Sequence, residues 1–289
     1  MSTPPLFRAL IDDAALFPPG NAPLDVAVPA HREHRTAWYA DLIGPFLCPA
    51  SRLDELAQVL GTTGDDAELG VAVIVDTGTG GVGRAVDAVA AEWRLALRGV
   101  EVPLHGEAAA GGSSLRDAAR RTVAALDAAL GGPDDDAPSY IEVPRVHGWR
   151  DALEVIAESG YRAKLRTGGL ETMPSEAEVA QFIVACLELD VPFKFTAGLH
   201  HAVRRTTVDD REEHGFLNAL LAVSSALGGG EAVAIAAVLA SRDTPALAEQ
   251  AGALTDERAS TVRAWLGSFG SCSVTEPIDG LLDLKLLTR

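Results

Sequence analysis

Apolar and polar positions alternate along this chain in blocks that predict eight strands and, between them, amphipathic helices. The strand-like runs are Leu10–Phe17, Gly44–Cys48, Leu69–Val75, Leu95–Pro103, Ser139–Val143, Tyr161–Arg166, Pro192–Thr196 and Ser268–Ser273. Helical spacing marks Pro23–His34, Arg52–Leu60, Gly83–Trp93, Ser114–Leu130, Trp149–Glu158, Ser175–Leu189 and Gly215–Leu227, with a last helix near Pro277–Leu286. Regular strand–helix alternation over this length predicts a single (β/α)8 barrel, an α/β fold spanning residues 1–289. A doubly wound open sheet is the rival, because alternation alone does not prove closure. The segment Gly228–Leu266 adds two or three helices before the last strand, packed outside the barrel or at a subunit contact of a homo-oligomer.

The pattern is most unusual between Tyr161 and His201. Successive strand residues point to opposite faces, so Lys164 and Arg166 share one face while Ala163 and Leu165 take the other. In the next strand Lys194 and Thr196 share a face opposite Phe193 and Phe195. A parallel strand covered on both sides ordinarily reads as unbroken aliphatic residues. A face of lysine, arginine and threonine must look onto partners, water or a ligand, since unpaired charge is costly to bury. Tyr140 and Glu142 alternate with Ile141 and Val143, which turns Glu142 the same way. The candidate active site therefore lies where these strands end. The glycines Gly168, Gly169 and Gly198, and the segment Gly270–Ser273, form the turns there.

Composition narrows the partners. The chain has 289 residues, with 24 Lys and Arg against 41 Asp and Glu, a formal net charge of -17. Such a field disfavours nucleic acid and anionic membrane surfaces. A small anionic substrate would need a local basic pocket, which Lys164, Arg166, Lys194, His200, His201, Arg204 and Arg205 can supply. Hydrophobic content of 47% supports a large core. Cys48, Cys186 and Cys272 match no metal or redox spacing and are too few for a disulfide framework. Cys272 reads as a small core residue. No signal peptide or membrane-length apolar run is present, so the expectation is a cytoplasmic protein. No G-x-G-x-x-G follows the first strand, and Gly78-Thr79-Gly80-Gly81-Val82-Gly83 lacks a phosphate-loop lysine, which predicts a flexible loop and no dinucleotide cofactor. Gly106–Ser114 and Gly131–Ala137 read as solvated loops. The charged stretch Ala202–Gly215 reads either as a lid over the catalytic face or as a solvated insertion.

Three chemistries suit the inward residues. A lysine beside another cation or in apolar surroundings loses part of its preference for the ammonium form, and its amine can then attack a carbonyl to give a Schiff base. Alternatively, Lys164 and Lys194 are neutralised by Glu142 and Asp12, or bind an anion. His200 and His201 point apart on an extended segment, so one can act as acid or base while the other braces the loop. Either could also join Glu142, His214 or Asp12 around a metal, although no H-x-H or H-E-x-x-H spacing supports this and two inward lysines would repel a cation. Asp12 ends the first strand as a candidate acid or base, or as a turn residue. Ser271 shows no base partner, which leaves a serine-hydrolase reading weak.

The runs Lys164-Leu165-Arg166-Thr167-Gly168-Gly169, Lys194-Phe195-Thr196-Ala197-Gly198 and Phe269-Gly270-Ser271-Cys272-Ser273 resemble the last three strands of the deoxyribose-phosphate aldolase family, a class I, Schiff-base barrel. The resemblance covers about the last 130 residues. It implies that Lys164 is the imine lysine and Lys194 its pKa-lowering neighbour. It also implies that Gly198, Gly270, Ser271 and Ser273 lie near a phosphate or carboxylate. Three features depart from that family: Arg166 is bulkier and charged, His200-His201 replace a glycine-rich anion turn, and Arg98 and Glu101 occupy the region of the fourth-strand proton-relay aspartate. The whole chain also resembles an uncharacterised bacterial protein family through Leu16-Phe17-Pro18-Pro19, Gly198-Leu199-His200-His201 and Phe269-Gly270-Ser271-Cys272-Ser273, which implies no activity.

The sequence thus predicts a lyase or aldolase-like enzyme acting through a lysine imine on a small phosphorylated or carboxylated carbonyl compound, without a cofactor or metal. Lys164, Lys194, Glu142, His200 and Asp12 are its candidate catalytic residues. Arg166, Gly168, Gly169, Thr196, Gly198, His201, Gly270, Ser271 and Ser273 are its candidate substrate contacts. The alternatives are an isomerase or hydrolase using His200, His201 and Glu142, with or without a metal, and a barrel that only binds an anionic metabolite.

Overall fold

The inward and outward faces of the strands differ in polarity on one side of the sheet only, and that asymmetry locates the site. In the computed structural model, which describes residues 3–62, 67–104, 114–169 and 173–289, the strands are β1 (Ile11–Asp13), β2 (Ile43–Pro49), β3 (Leu69–Ile74), β4 (Leu95–Pro103), β5 (Ser139–Glu142), β6 (Arg162–Arg166), β7 (Phe193–Thr196), β8 (Arg205–Thr206), β9 (Glu212–Glu213) and β10 (Leu266–Ser271). Eight of them close in the order β1-β10-β7-β6-β5-β4-β3-β2, and every neighbouring pair is parallel. The fold is a (β/α)8 TIM barrel. β8 and β9 form a separate antiparallel hairpin inside the charged stretch after β7.

The helices are α1 (Leu24–Thr36), α2 (Leu53–Thr62), α3 (Val82–Ala91), α4 (Leu115–Leu130), α5 (Trp149–Ser159), α6 (Glu176–Glu188), α7 (Phe216–Leu227), α8 (Ala232–Ala240), α9 (Thr244–Gly252), α10 (Asp256–Trp265) and α11 (Thr275–Asp283). Their starts follow local chemistry. Ser175 caps α6 with a reciprocal capping box to Glu178, and Ser114 caps α4 by accepting from the Asp117 amide. The extra segment before the last strand holds three helices, α8 to α10. No helix among the described residues is long and apolar enough to cross a membrane.

Several boundaries differ from the sequence expectation. β1 pairs only over Ile11–Asp13, because the Ala15 amide turns back onto the Asp13 side chain and Phe17 bonds to Ala14. β10 begins two residues earlier than expected, with Leu266 opposite Phe193. Thr79–Gly81 is a 3-10 turn leading straight into α3. Thr79 is buried, its hydroxyl 3.1 Å from that of Thr122, so this glycine-rich run is a packed turn and not a flexible loop. Gly131 ends α4 in the left-handed conformation as a turn glycine should. Of the loop expected at Gly106–Ser114, residues 106–113 lie outside the described residues and Ser114 caps α4.

Outward strand residues pack on the helices. Phe193 and Phe195 meet Phe182 of α6 at ring-centroid distances of 5.5 and 6.4 Å. Inside, the barrel is divided. On the β1–β3 side Ala14, Leu47 and Ala72 form a small apolar cluster against Phe17 and Ile74. From β4 to β7, and at Asp12 of β1, the interior is ionic. Gly44 of β2 leaves room for this division, since a Cβ there would lie 2.1 Å from Asp12 Oδ1.

Candidate active site

Strand register sets the two lysines level. Lys164 is paired with Lys194 across β6 and β7, and Glu142 with Lys164 across β5 and β6. Both lysines, Glu101 and Glu142 are at most 2% exposed. Charges buried so completely persist only with close opposite partners, and here they have them. Lys164 Nζ lies 2.5 Å from Glu101 Oε2 and 2.9 Å from Glu142 Oε2. Lys194 Nζ lies 2.6 Å from Glu101 Oε1 and also contacts Asp12 Oδ2. Arg166 Nε reaches Glu142 Oε1 at 3.1 Å. The result is a string of alternating sign, Asp12–Lys194–Glu101–Lys164–Glu142–Arg166, with three negative and three positive groups.

Burial would raise the Glu101 carboxyl, but Lys164 and Lys194 outweigh it and hold the group at about 2. Burial would likewise lower Lys194, but Asp12 and Glu101 prevail and push it above the usual ammonium range. Lys194 is therefore a standing cation. Burial raises Asp12, against the pull of Lys194 and of the Ser268 hydroxyl, which donates to Oδ2 at 2.6 Å. Asp13, its neighbour, points outward and bonds to His31 Nδ1 at 2.9 Å.

The string spans the barrel from end to end. At the strand C-terminal ends the Arg166 side chain is 52% exposed, with Glu142 and then Lys164 beneath it. At the N-terminal ends a cavity of about 280 Å³ is lined by Asp12, Glu101, Lys194, Tyr140, Arg162 and Arg263, among others. Arg263 helps to close that end by donating to the carbonyls of Leu6, Ala9, Leu266 and Gly267. Tyr140 lies beneath Lys194, whose Nζ is 5.3 Å from the ring centroid. A larger cavity, about 490 Å³, lies between α5 and α6 and is lined by Trp149, Phe182, Arg145 and Glu178, with none of the ionic string in its wall.

Lys164, Lys194, Glu142, Asp12 and Arg166 thus come together. Thr196 is level with Arg166 and Gly270 across β7. The turn glycines Gly168 and Gly198 lie side by side at the exits of β6 and β7. Gly168 and Gly198 press backbone against backbone, and a Cβ on Gly168 would sit 2.8 Å from the Gly198 Cα. Thr167 Oγ1 clamps the same turns by donating to the carbonyls of Thr196 and Ala197 at 3.2 and 2.8 Å. Gly169 has φ +126, a value that suits glycine.

The histidines go elsewhere. His200 Nδ1 lies 3.3 Å from Glu276 Oε2 and 3.4 Å from Ser271 Oγ, while the Cys272 sulfur is 3.6 Å from Nε2. Ser271 Oγ donates to the Ser273 carbonyl at 2.6 Å. Cys272, expected in the core, is half-buried at this rim. His201 faces Glu213 of the hairpin at 3.9 Å. Burial lowers His214, whose Nε2 hydrogen-bonds the Pro174 carbonyl at 2.8 Å. Among the described residues no three His, Cys, Asp or Glu side chains are grouped to hold a metal ion.

Glu101 is the central residue that the sequence does not single out. Alternation along β4 assigns it a face but not its two lysine partners on β6 and β7. Tyr140 and Arg263 are equally silent in sequence, since each acquires its role only when the barrel closes. Compared with models of known protein families the chain matches none, and no curated protein matches it.

Proposed function

We propose that this barrel is an aldolase-type lyase that forms an imine at Lys164 with a small anionic carbonyl compound. The observation that carries this reading is the single carboxylate of Glu101 bridging two lysine amines on adjacent strands, with Glu142 on the other side of Lys164. A lysine nucleophile must shed a proton and an imine must later gain one, and both carboxylates are within hydrogen-bond reach for these transfers. Glu101 and Arg98 occupy the fourth-strand region in which the resembled aldolase family carries its proton-relay aspartate, and of the two only Glu101 could take up a proton. Arg166, half exposed above Glu142, is the natural anchor for a phosphate or carboxylate.

The steps then follow. Lys164 passes a proton to Glu142 and its amine adds to the substrate carbonyl. The carbinolamine oxygen takes that proton back and leaves as water, giving the iminium. A carboxylate removes the proton of the β-hydroxyl, the Cα–Cβ bond breaks, and its electron pair moves into the iminium to give the enamine. Protonation at Cα and addition of water release the second product and the free lysine. Lys194 remains cationic throughout and keeps Glu101 ionised.

A second reading rests on the complete pairing of the ionic string, which would equally suit a barrel that binds an anionic metabolite without covalent chemistry. Borohydride trapping with small aldehydes and keto acids, followed by mass spectrometry, separates the two. An adduct on Lys164, absent from Lys164→Met, is expected. An adduct on Lys194 would reverse the lysine roles, and no adduct with any carbonyl would leave the binding barrel.

A further inference from the structure

The segments Leu16–Gly20, Gly198–His201 and Phe269–Ser273 are far apart in sequence yet meet at the C-terminal rim of the barrel. Gly20 packs on Cys272, where an added Cβ would lie 3.2 Å from the Cys272 Cβ and carbonyl oxygen. The sulfur lies 3.6 Å from His200 Nε2 and 3.8 Å from Nδ1, within reach of a sulfur hydrogen bond and slightly nearer Nε2. Glu276 at 3.3 Å and Ser271 at 3.4 Å both face Nδ1. A carboxylate there favours the tautomer with hydrogen on Nδ1, which leaves the Nε2 lone pair for the thiol. Nucleophile, base and orienting carboxylate are thereby brought together from two loops and the first turn of α11.

We propose that Cys272 is a reactive thiol that exchanges with small disulfides, with His200 as its base and Glu276 as the positioning residue. In the exchange Cys272 Sγ attacks one sulfur of R–S–S–R, and the new S–S bond forms as the old one breaks. The thiol proton moves to His200 Nε2 and from there to the departing thiolate, so the products are a mixed disulfide and one R–SH. The incoming disulfide is the oxidant and no other reagent is needed. Of the three cysteines, Cys48 and Cys186 are fully buried, and burial pushes the Cys48 thiol up to about 12 and Cys186 well above its ordinary value. Burial also raises the half-buried Cys272, so its thiol needs a base at the moment of attack. This inference does not rest on the imine chemistry, and a failure of borohydride trapping leaves it unchanged.

The test uses the native chain with oxidised glutathione and with the chromogenic aryl disulfide dithiobis-nitrobenzoate. One mixed disulfide per folded chain is expected, mapped to Cys272 and lost in Cys272→Ser. His200→Gln should slow the reaction by about a hundredfold, the lower range for a positioned base. Glu276→Ala should slow it less, and Glu276→Gln, which keeps an acceptor oxygen, should recover part of the loss. Wild-type exchange should also be slower in heavy water, a readout that needs no variant. An unreactive Cys272 in the native chain, a rate untouched by His200→Gln in a folded variant, or no slowing in heavy water would each overturn the assignment.

Discussion

Lys194 holds two buried carboxylates, and the partners left behind on its removal decide the cost. Without it Asp12 keeps the Ser268 hydroxyl and Glu101 keeps Lys164. An uncompensated buried charge then remains at Asp12, and Lys194→Met should destabilise by about 3–5 kcal/mol. Lys164→Met is milder, because Glu101 retains Lys194 and Glu142 retains Arg166. Urea unfolding of both variants ranks them, and equal costs would contradict the partner assignment. Glu101 also sets an acid limb. Its carboxyl is depressed from 4.5 to about 2, so its contribution to stability is complete above pH 4.5 and is lost as pH falls towards 2. The size is about 3 kcal/mol by proton linkage. Asp12, raised by burial, acts in the opposite sense above its ordinary range. Stability measured over this window should fall in the wild type, with a shallower slope in Glu101→Gln. At this scale the sequence is partly legible: strand alternation puts Lys164 with Arg166 and turns Glu142 inward. It cannot reveal Glu101 as the bridge, because that pairing joins residues 63 and 93 positions apart.

The exit turns of β6 and β7 are built by mutual contact. Gly198 has φ +77, and an added Cβ would lie 3.0 Å from the Gly168 Cα. Gly198→Ala should therefore cost about 1–3 kcal/mol through backbone strain. It should also disturb Lys194, four residues back, which is visible as a lower melting temperature together with altered imine trapping. Ser175→Ala removes the hydroxyl that accepts from the Glu178 amide, leaving the Ser175 amide on the Glu178 carboxylate, and should cost about 1 kcal/mol, with no effect on trapping. Helix starts such as Ser114 and Ser175 are readable from sequence because caps are satisfied by residues three positions away. Strand ends are less readable, because pairing with a distant neighbour fixes them. β10 begins at Leu266 because Phe193 lies opposite, and β1 stops at Asp13 where the chain turns. The hairpin of β8 and β9 is held by Arg204 against Glu176 and Glu212, and by Arg242 against Glu212. Those partnerships join residues from separate elements and are not deducible from the run of charges alone.

Closure is the property of the whole molecule, and eight alternating strands and helices make it legible in outline. They do not specify that one half of the interior is apolar and the other ionic. The ionic half sums to zero, so the net charge of -17 is carried outside this string. An anion approaching the C-terminal ends must overcome that field and then meets Arg166. Phosphate or sulfate should raise the melting temperature in proportion to the logarithm of concentration once saturating, and Arg166→Ala should lose the effect. Equal protection of the variant would place anion binding elsewhere. The alternating string has one more consequence. Its Arg166 end faces the C-terminal mouth and its Asp12–Lys194 end faces the N-terminal cavity, with each link within hydrogen-bond reach of the next. It is a continuous chain of ion pairs with one end at each mouth of the barrel. A ligand seated over Arg166 would stop the front mouth and leave the Asp12–Lys194 end against the N-terminal cavity, so the two ends of one charged chain would feel different surroundings.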